Sequence, residues 1–266
     1  MPPVTTQQTV RPFVRRSRLL HGVTHAVGTR HGGVSPAPYA TLNVGLSTPD
    51  SEANVLENRR LLLEACGAPG QVFSARLEHG RHVSVFRDGV DGTPATQEDF
   101  FRGDGVVSNS PGTSFLMTFA DCVPLLFWDP YRRVIGLAHA GWRGTALRIS
   151  EAMIETVQAE FGCRPSDILV SIGPSIGPCC YDVGPQVLEN FAENGTYASV
   201  RPAGEKCMLD LWNTNRCQLA SVGVRDEHIE MLNICTSCHV ADYFSHRAEH
   251  GQTGRFGACI GLASKG

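Results

Sequence analysis

The chain has 266 residues, of which 42% are hydrophobic, and its 23 Lys and Arg nearly balance 26 Asp and Glu. These values suit one enzyme-sized globular domain, and the formal net charge of -3 gives no general electrostatic reason to bind nucleic acid or a membrane surface. No apolar run is long enough to span a bilayer.

The N-terminal residues predict a flexible arm over residues 1–18. The first ten residues are polar, and the arginines that follow (Arg11, Arg15, Arg16 and Arg18) precede no continuous apolar core of the kind found in secretory signals. We therefore expect a cytoplasmic protein whose residues 19–266 form a single domain. In a reducing compartment the 10 cysteines would be mostly buried small side chains, with a minority serving as metal ligands or nucleophiles.

The first strong helical pattern covers residues 49–66. Val55, Leu62 and Leu63 recur at helical spacing, and Gly67 is placed to end the helix. Arg59 falls on the same side of the helix, so the pattern predicts that it points toward the protein. Its stem could simply pack there, or its guanidinium could bind an anion.

The middle of the chain predicts three groups of strands with polar residues at their ends. Strands near residues 72–76 and 82–86 flank Glu78-His-Gly80, which places His79 in the bend between them. A long apolar segment over residues 114–130 is interrupted by Asp121 and Cys122, and a buried acid and thiol need compensating partners.

The sequence of residues 134–145 predicts a buried strand that delivers His139 to its end. Gly141 and Gly144 then allow a sharp turn and a close approach of the backbone to a ligand. Trp142 offers an aromatic face for stacking, and Arg143 offers a planar, positively charged guanidinium. A helix over residues 147–161 is expected to pack back over the sheet.

The C-terminal third continues to alternate strands and helices. Strands are predicted at residues 168–172, 207–211 and 228–234, and helices at residues 185–193 and 213–222. The loop over residues 173–184 is too rich in Gly and Pro for regular structure, and loops of this kind often carry function. The alternation predicts a mixed α/β domain.

Two cysteine pairs are candidates for metal ligands. Cys235-Thr-Ser-Cys-His239 matches the haem attachment pattern and also half of a four-cysteine zinc site. No export signal supports haem, and no partner pair at suitable spacing completes a zinc ribbon. Adjacent cysteines do not easily face one ion, so we interpret Cys179 and Cys180 as loop packing.

Several ordered motifs resemble one known family. They are Glu78-His-Gly80, Ala120-Asp-Cys-Val-Pro124 and Gly136-Leu-Ala-His-Ala-Gly-Trp-Arg-Gly144, and further matches run from Thr29 to Arg255. Together they resemble the YfiH-type family, once called multicopper polyphenol oxidases or laccases. Its members are now regarded as zinc-dependent purine nucleoside phosphorylases with adenosine deaminase activity.

This resemblance implies a layered domain of β-sheets flanked by helices, and a zinc site made by His79, Cys122 and His139. Two imidazoles and one thiolate leave a fourth position open for water or substrate, as catalytic zinc sites do. The resemblance also places Asn43 in a substrate-side loop and Cys235 at the edge of the pocket.

The two implied reactions need different groups. In deamination, zinc would lower the pKa of a water to roughly 7 for attack on the purine C6 carbon. In phosphorolysis, phosphate attacks the ribose as the purine leaves, and Arg59 and Arg143 are the candidates to bind it. Adenosine, inosine, guanosine and methylthioadenosine are the candidate substrates, and Asn43 is the candidate to orient the nucleoside.

Two other functions stay open at the level of sequence. One is a copper-dependent polyphenol oxidase, although multicopper oxidases need more clustered histidines, and the 10 histidines here form no His-x-His pair. The other is a non-enzymatic metal- or thiol-binding protein. Glu78 stands where the family usually has glutamine, which bears on substrate preference more than on metal binding. The sequence does not predict an oligomeric state.

Overall fold

The computed structural model describes residues 13–87, 100–204 and 206–264. Its strands are β1 (Val14–Arg15), β2 (Thr24–Gly28), β3 (Gln71–Arg76), β4 (Val83–Phe86), β5 (Phe100–Arg102), β6 (Gly105–Ser108), β7 (Thr113–Phe119), β8 (Val123–Asp129), β9 (Val134–Ala140), β10 (Leu169–Ile172), β11 (Asp182–Val183), β12 (Val200–Ala203), β13 (Lys206–Leu209), β14 (Ile229–Met231) and β15 (Phe256–Leu262). Its α-helices are α1 (Glu52–Cys66), α2 (Trp142–Ala146), α3 (Ile149–Phe161), α4 (Pro185–Glu193) and α5 (Leu211–Ser221).

Two mixed six-stranded sheets form the centre of the fold. The first sheet has the order β1-β2-β15-β7-β3-β5, and the second has the order β14-β10-β8-β9-β6-β4. A small third sheet has the order β11-β13-β12. The predicted α/β class, with layered sheets flanked by helices, is confirmed.

The layering follows from side-chain alternation along the strands. In β9, Ile135 and Leu137 belong to the core between the two large sheets, whereas Val134 and Ala138 belong to the core under the helices. A strand buried on both faces in this way reads as a continuous apolar run, because neither face meets water. The strand at residues 134–140 therefore lies at the centre of the molecule.

Helix α1 covers the outer face of the first sheet. It begins after Ser51 and ends at Gly67, which adopts the left-handed conformation with φ of 70°. Leu62 and Cys66 pack with Leu116 and Cys259 of the sheet. The helix boundaries agree with the periodicity of the sequence, including its terminating glycine.

The helix predicted over residues 147–161 is confirmed as α3, which begins two residues later, and a short helix that the sequence did not predict precedes it. A short helix, α2, begins directly after Gly141, and α3 begins only after Arg148, which has a φ of 64°. The turn at Arg148 separates the two helices. Helix α2 carries Trp142 and Arg143, whereas Met153 and Ile154 of α3 pack on the second sheet. The predicted helix 185–193 is confirmed, and the helix predicted at 213–222 is α5, which begins two residues earlier.

The polar pair Asp121-Cys122 lies where the chain crosses between sheets. Strand β7 belongs to the first sheet and β8 to the second, so the apolar segment 114–130 is two strands rather than one. Asp121 has a φ of 84° at this corner. The crossing places Cys122 at the sheet edge.

The boundary predicted for the N-terminal arm needs correction. Residues 1–12 lie outside the described residues, but Val14–Arg15 pairs antiparallel with β2. The backbone N–H of Ser17 also donates to His25 Nε2 at 3.0 Å. Residues 13–18 are therefore part of the packed structure. Within the described ranges, no helix is both long and apolar enough to cross a membrane.

Candidate active site

Three side chains from separate strand ends meet at one edge of the two sheets. His79 lies in the loop between β3 and β4, Cys122 directly precedes β8, and His139 lies in β9. Their donor atoms all lie within 4.8 Å of one another, so they could hold one metal ion. The rings of His79 and His139 are nearly perpendicular, with centroids 4.9 Å apart. His139 is buried, whereas His79 is exposed, so the group opens toward solvent on one side.

The carboxylate of Asp104 holds both histidines. Its Oδ1 accepts from Nδ1 of His139 at 3.0 Å and from the backbone N–H of His79 at 3.0 Å. Its Oδ2 accepts from the backbone N–H of Gly80 at 2.7 Å and of Glu78 at 3.1 Å. Because a carboxylate only accepts, Nδ1 of His139 carries the proton and Nε2 is left as the donor atom for a metal.

The local backbone is shaped to bring the donors together. His79 has a φ of 58°, a left-handed conformation that is uncommon without glycine, and the Asp104 hydrogen bonds stabilise it. At Gly141, a β-carbon would lie 2.9 Å from the sulfur of Cys122. Any side chain there would displace the thiol, which accounts for glycine at this turn.

The electrostatics of the group favour a thiolate facing an imidazolium. Burial acts to raise the pKa of Cys122, but the charge of His139 and hydrogen bonds from both histidines outweigh it and lower the pKa to about 6. Burial acts to lower the pKa of His139, but the Cys122 charge and the Asp104 carboxylate raise it to about 9. A metal ion that binds there meets a thiolate already formed near neutral pH and displaces the proton from Nε2 of His139, while Asp104 keeps the proton on Nδ1.

Asp121 provides the compensation that its buried position requires. Its Oδ1 accepts from the Thr236 hydroxyl at 2.6 Å, and its Oδ2 accepts from the backbone N–H of Arg247 at 2.7 Å. Its carbonyl accepts from the backbone N–H of Ile176 at 2.9 Å. Asp121 thus joins the corner that carries Cys122 to two distant loops.

A cleft of about 980 Å³ opens over the three donors. Six arginines contribute to its walls: Arg59, Arg76, Arg102, Arg143, Arg247 and Arg255. Within residues 13–87, 100–204 and 206–264, neither Arg143 nor Arg255 forms an ion pair with a carboxylate. The excess of positive charge over this cleft suits an anionic ligand.

The structure brings two of the predicted substrate residues to this cleft. Arg59 projects from α1, where its Nε donates to the Val44 carbonyl at 2.9 Å, and burial lowers its pKa to about 10. It therefore stays charged at neutral pH. The exposed Arg143 lies with its Cζ 4.3 Å from the centre of the Trp142 ring, and both side chains line the cleft.

Asn43 and Cys235 are not among the described residues that line the cleft. Asn43 is fully buried, and its side chain bonds to Thr48, Asp50 and the backbone N–H groups of Gly45 and Arg255. Its connection to the cleft is indirect, because it accepts from the backbone N–H of Arg255, whose side chain lines the cleft. Cys235 is buried, and its sulfur accepts from the backbone N–H of Gly177 at 3.2 Å.

The expectation that the adjacent Cys179 and Cys180 do not easily face one ion is wrong. Their sulfurs and those of Cys235 and Cys238 all lie within 4.8 Å of one another. Residues 178–180 form a turn in which the Cys180 N–H donates to the Gly177 carbonyl at 3.0 Å, so adjacent side chains can point to one side. Cys179 and Cys180 are therefore a second pair of thiols next to Cys235 and Cys238 in space, although the two pairs are far apart in the sequence.

Other site residues gave only weak signals in the sequence. Asp104 stands between Gly103 and Gly105 ahead of a buried strand, a place where glycines permit close backbone approach. Glu78 does not orient a histidine ring, since its carboxylate faces Arg102 with an Nη1 to Oε1 distance of 3.6 Å. Tyr181, Arg247 and Arg255 also line the cleft, and they fall within the stretch from Thr29 to Arg255 that carries the family resemblance, although no role was predicted for them.

The chain is similar to known proteins over nearly its whole length. Residues 24–263 match the family model described as multi-copper polyphenol oxidoreductase laccase. The chain is 39% identical over 249 residues to purine nucleoside phosphorylase YlmD of Geobacillus stearothermophilus, covering 90% of each protein. It is 36% identical over 243 residues to purine nucleoside phosphorylase YfiH of Escherichia coli, covering 91% of this chain and 94% of that protein. The crystal structure of YlmD from Geobacillus stearothermophilus superposes with a TM-score of 0.88 at 36% identity, covering 97% of this chain and 98% of that chain.

Proposed function

The chain belongs to the YfiH-type family, and on this premise we propose that it is a zinc-dependent purine nucleoside phosphorylase that also deaminates adenosine. The observation that carries the proposal is the placement of His79, Cys122 and His139 at an arginine-lined cleft. One cavity thus joins a metal site that could activate water for deamination with an anion site that could hold phosphate for phosphorolysis.

The donor set fits zinc. Two imidazole nitrogens and one thiolate, with one coordination position left open, match the composition of catalytic zinc sites. The hydrogen bond from His139 to Asp104 matches the carboxylate partner that zinc-bound histidines usually have. Zinc held there would supply Lewis acidity and allow water to react at neutral pH.

The arginines provide the phosphate site. Arg59 and Arg255 are half-buried, and the exposed Arg143 extends from α2 into the lining of the cleft. Charge-assisted hydrogen bonds from guanidinium groups bind phosphate oxygens strongly and fix their orientation. They would hold phosphate for attack on the anomeric carbon of the ribose while the bond from that carbon to the purine nitrogen breaks.

The purine would meet aromatic and hydroxyl groups in the same cleft. Trp142 and Tyr181 both contribute to its walls. Burial, and then the nearby Cys122 thiolate, raise the pKa of Tyr181 well above its usual value. Its hydroxyl therefore stays protonated and can donate a hydrogen bond to the departing base, which gains negative charge as the glycosidic bond breaks.

Polyphenol oxidation, which the family model's description suggests, fits the geometry less well. Multi-copper oxidation needs several copper ions held mainly by imidazoles. Among the described residues, two groups could hold a metal. They are the group of His79, Cys122 and His139, which we call the His79 site, and the group of four cysteines, and only the first contains histidine.

The test is release of free base from adenosine, inosine and guanosine, with methylthioadenosine as a further substrate, measured with and without phosphate. We expect phosphate-dependent formation of base and ribose 1-phosphate, and conversion of adenosine to inosine without phosphate. Treatment with a chelator should remove both activities, and added Zn²⁺ should restore them. Oxygen consumption with phenols, without any phosphate-dependent base release, would establish the oxidase instead, and zinc binding without turnover would establish a binding protein.

A further inference from the structure

The four-cysteine group lies outside the proposed zinc-dependent chemistry and has its own geometry. Cys179 and Cys180 come from the loop after β10, and Cys235 and Cys238 come from the turn after β14. The Cys238 sulfur lies 3.3 Å from that of Cys180 and 3.5 Å from that of Cys179. We propose that these four thiols form a second metal site, a structural site for Zn²⁺ that is separate from the His79, Cys122 and His139 site.

The sulfur spacing agrees with a four-thiolate zinc centre. With zinc–sulfur bonds of about 2.3 Å in a tetrahedron, the sulfurs lie roughly 3.8 Å apart. Two of the observed separations are 3.3 Å and 3.5 Å, and all the sulfurs lie within 4.8 Å of one another, so the group is compact enough to surround one ion. A disulfide would need about 2.05 Å, and the described structure joins none of these thiols to another.

Backbone hydrogen bonds hold the loop that carries Cys179 and Cys180 next to the turn that carries Cys235 and Cys238. Ser175 and Cys235 form a parallel bridge, in which Ser175 N–H donates to Ile234 at 3.1 Å and Thr236 N–H donates to Ser175 at 3.0 Å. Gly177 N–H donates to the Cys235 sulfur at 3.2 Å. Backbone N–H bonds to sulfur stabilise the thiolate form that a metal requires.

The ligand chemistry selects the class of metal. Four thiolates favour zinc over magnesium or calcium, which prefer oxygen ligands. The spacing of Cys235 and Cys238 is that of the Cys-x-x-Cys pairs found in structural zinc sites. Four protein ligands leave no open position, so this ion would stabilise structure and would not activate a substrate.

The position of the group gives the ion a role near the cleft. Tyr181 follows Cys180 directly and lines the cleft, and the guanidinium carbon of Arg247 lies 5.1 Å from the centre of its ring. Thr236 follows Cys235 and donates to Asp121 beside Cys122. An ion joining the two loops would fix this wall of the cleft.

The experiment is metal analysis of the full chain purified without added metal, on the wild type and three variants. We expect about two zinc ions per wild-type chain, and about one each in Cys238→Ser and Cys122→Ser, because each variant loses a different ion. Cys207→Ser, a half-buried thiol in β13 outside both groups, should keep both. This experiment measures metal content and not activity. A negative result for the four-cysteine site would therefore leave the proposed enzymatic function to be tested by base release and deamination.

Cobalt substitution identifies the ligands directly. In Cys122→Ser loaded with Co²⁺, we expect the intense visible absorption of a tetrathiolate site, and in Cys238→Ser we expect its loss. Cys179→Ser serves as a second variant, because Cys179 is also exposed and its replacement should leave the fold intact, as circular dichroism would show. The proposal is overturned if Cys238→Ser and Cys179→Ser both keep the wild-type metal content. It is also overturned if the intact mass of freshly purified protein shows a disulfide between these cysteines.

Discussion

The carboxylate of Asp104 lies 3.0 Å from Nδ1 of His139 and accepts hydrogen bonds from the backbone of the loop that carries His79. One buried carboxylate therefore fixes the ring of one proposed metal ligand and the backbone of another. Asp104 is fully buried, and although burial acts to raise its pKa, the hydrogen bonds from His139 and Gly80 lower it. The charge of Asp104 is thus available to the histidine at any pH near neutrality.

Replacing Asp104 with asparagine should weaken metal binding at the His79 site. The amide group would place N–H donors against backbone N–H groups or against Nδ1 of His139, which disturbs both ligands. Loss of such a carboxylate partner typically reduces metal affinity by about 10- to 100-fold. Competition with a chromophoric chelator would measure the affinity in the wild type and in Asp104→Asn.

Asp129→Asn is the matched control for this prediction. Asp129 is also buried and accepts from the backbone N–H groups of Tyr131 and Arg132, but it lies at the opposite end of β8 from Cys122. Its replacement should leave zinc affinity unchanged. Equal zinc affinities for Asp104→Asn and the wild type would mean that Asp104 serves the fold alone.

Replacing Cys122 with serine should remove the metal of the His79 site and both activities together. A serine hydroxyl stays protonated at neutral pH and is a poor substitute for thiolate. Zinc content, phosphate-dependent base release and adenosine deamination would be measured on one preparation. Cys163→Ser, a buried thiol distant from the cleft, should keep all three. Loss of deamination with phosphorolysis intact would assign the metal to the water-dependent reaction only.

The sequence predicted most of the strands and helices because their apolar residues alternate with regular periods. It also marked Cys122 as unusual, since a thiol beside an acid interrupts an apolar run. The structure adds the reason, which is that the chain changes sheets there. Periodicity shows that a residue is buried, but it does not show which sheet a strand joins.

The parts of the site that the sequence did not predict depend on contacts between distant residues. Cys238 meets Cys179 across 59 positions, and no local pattern marks that pairing. Asp104 reaches His139 across 35 positions in the same way. The position of Asn43 also required the structure, because a buried amide and a substrate-facing amide look the same in sequence.

Asn43→Ala should lower the free energy of unfolding. The side chain is fully buried and forms hydrogen bonds with Thr48, Asp50, Gly45 and Arg255, so truncation leaves several buried polar groups without partners. Each such group costs about 1–3 kcal/mol, and we expect a total loss of roughly 2–4 kcal/mol. Urea unfolding at fixed zinc concentration would measure it.

The comparison variant for Asn43 is Asn194→Ala, at the exposed end of α4. Its loss should change the free energy of unfolding by less than about 1 kcal/mol, as is usual for exposed positions. If Asn43→Ala had wild-type stability and a raised KM for nucleoside, Asn43 would have the substrate-orienting role that the family resemblance implies.

Arg59→Ala should raise the KM for phosphate while leaving adenosine deamination unchanged. A charge-assisted hydrogen bond contributes about 1.5–3 kcal/mol, which corresponds to a rise on the order of 10- to 100-fold. Arg60→Ala is the matched control, since its neighbouring guanidinium is exposed and pairs with Glu57 and Glu64 on the outer face of α1. Deamination uses no phosphate, so it reports whether the cleft is intact in the same variant. Parallel losses of both activities in Arg59→Ala would show that Arg59 acts through its packing against Val44 and Ser74, and the phosphate would then have to be held by the other arginines.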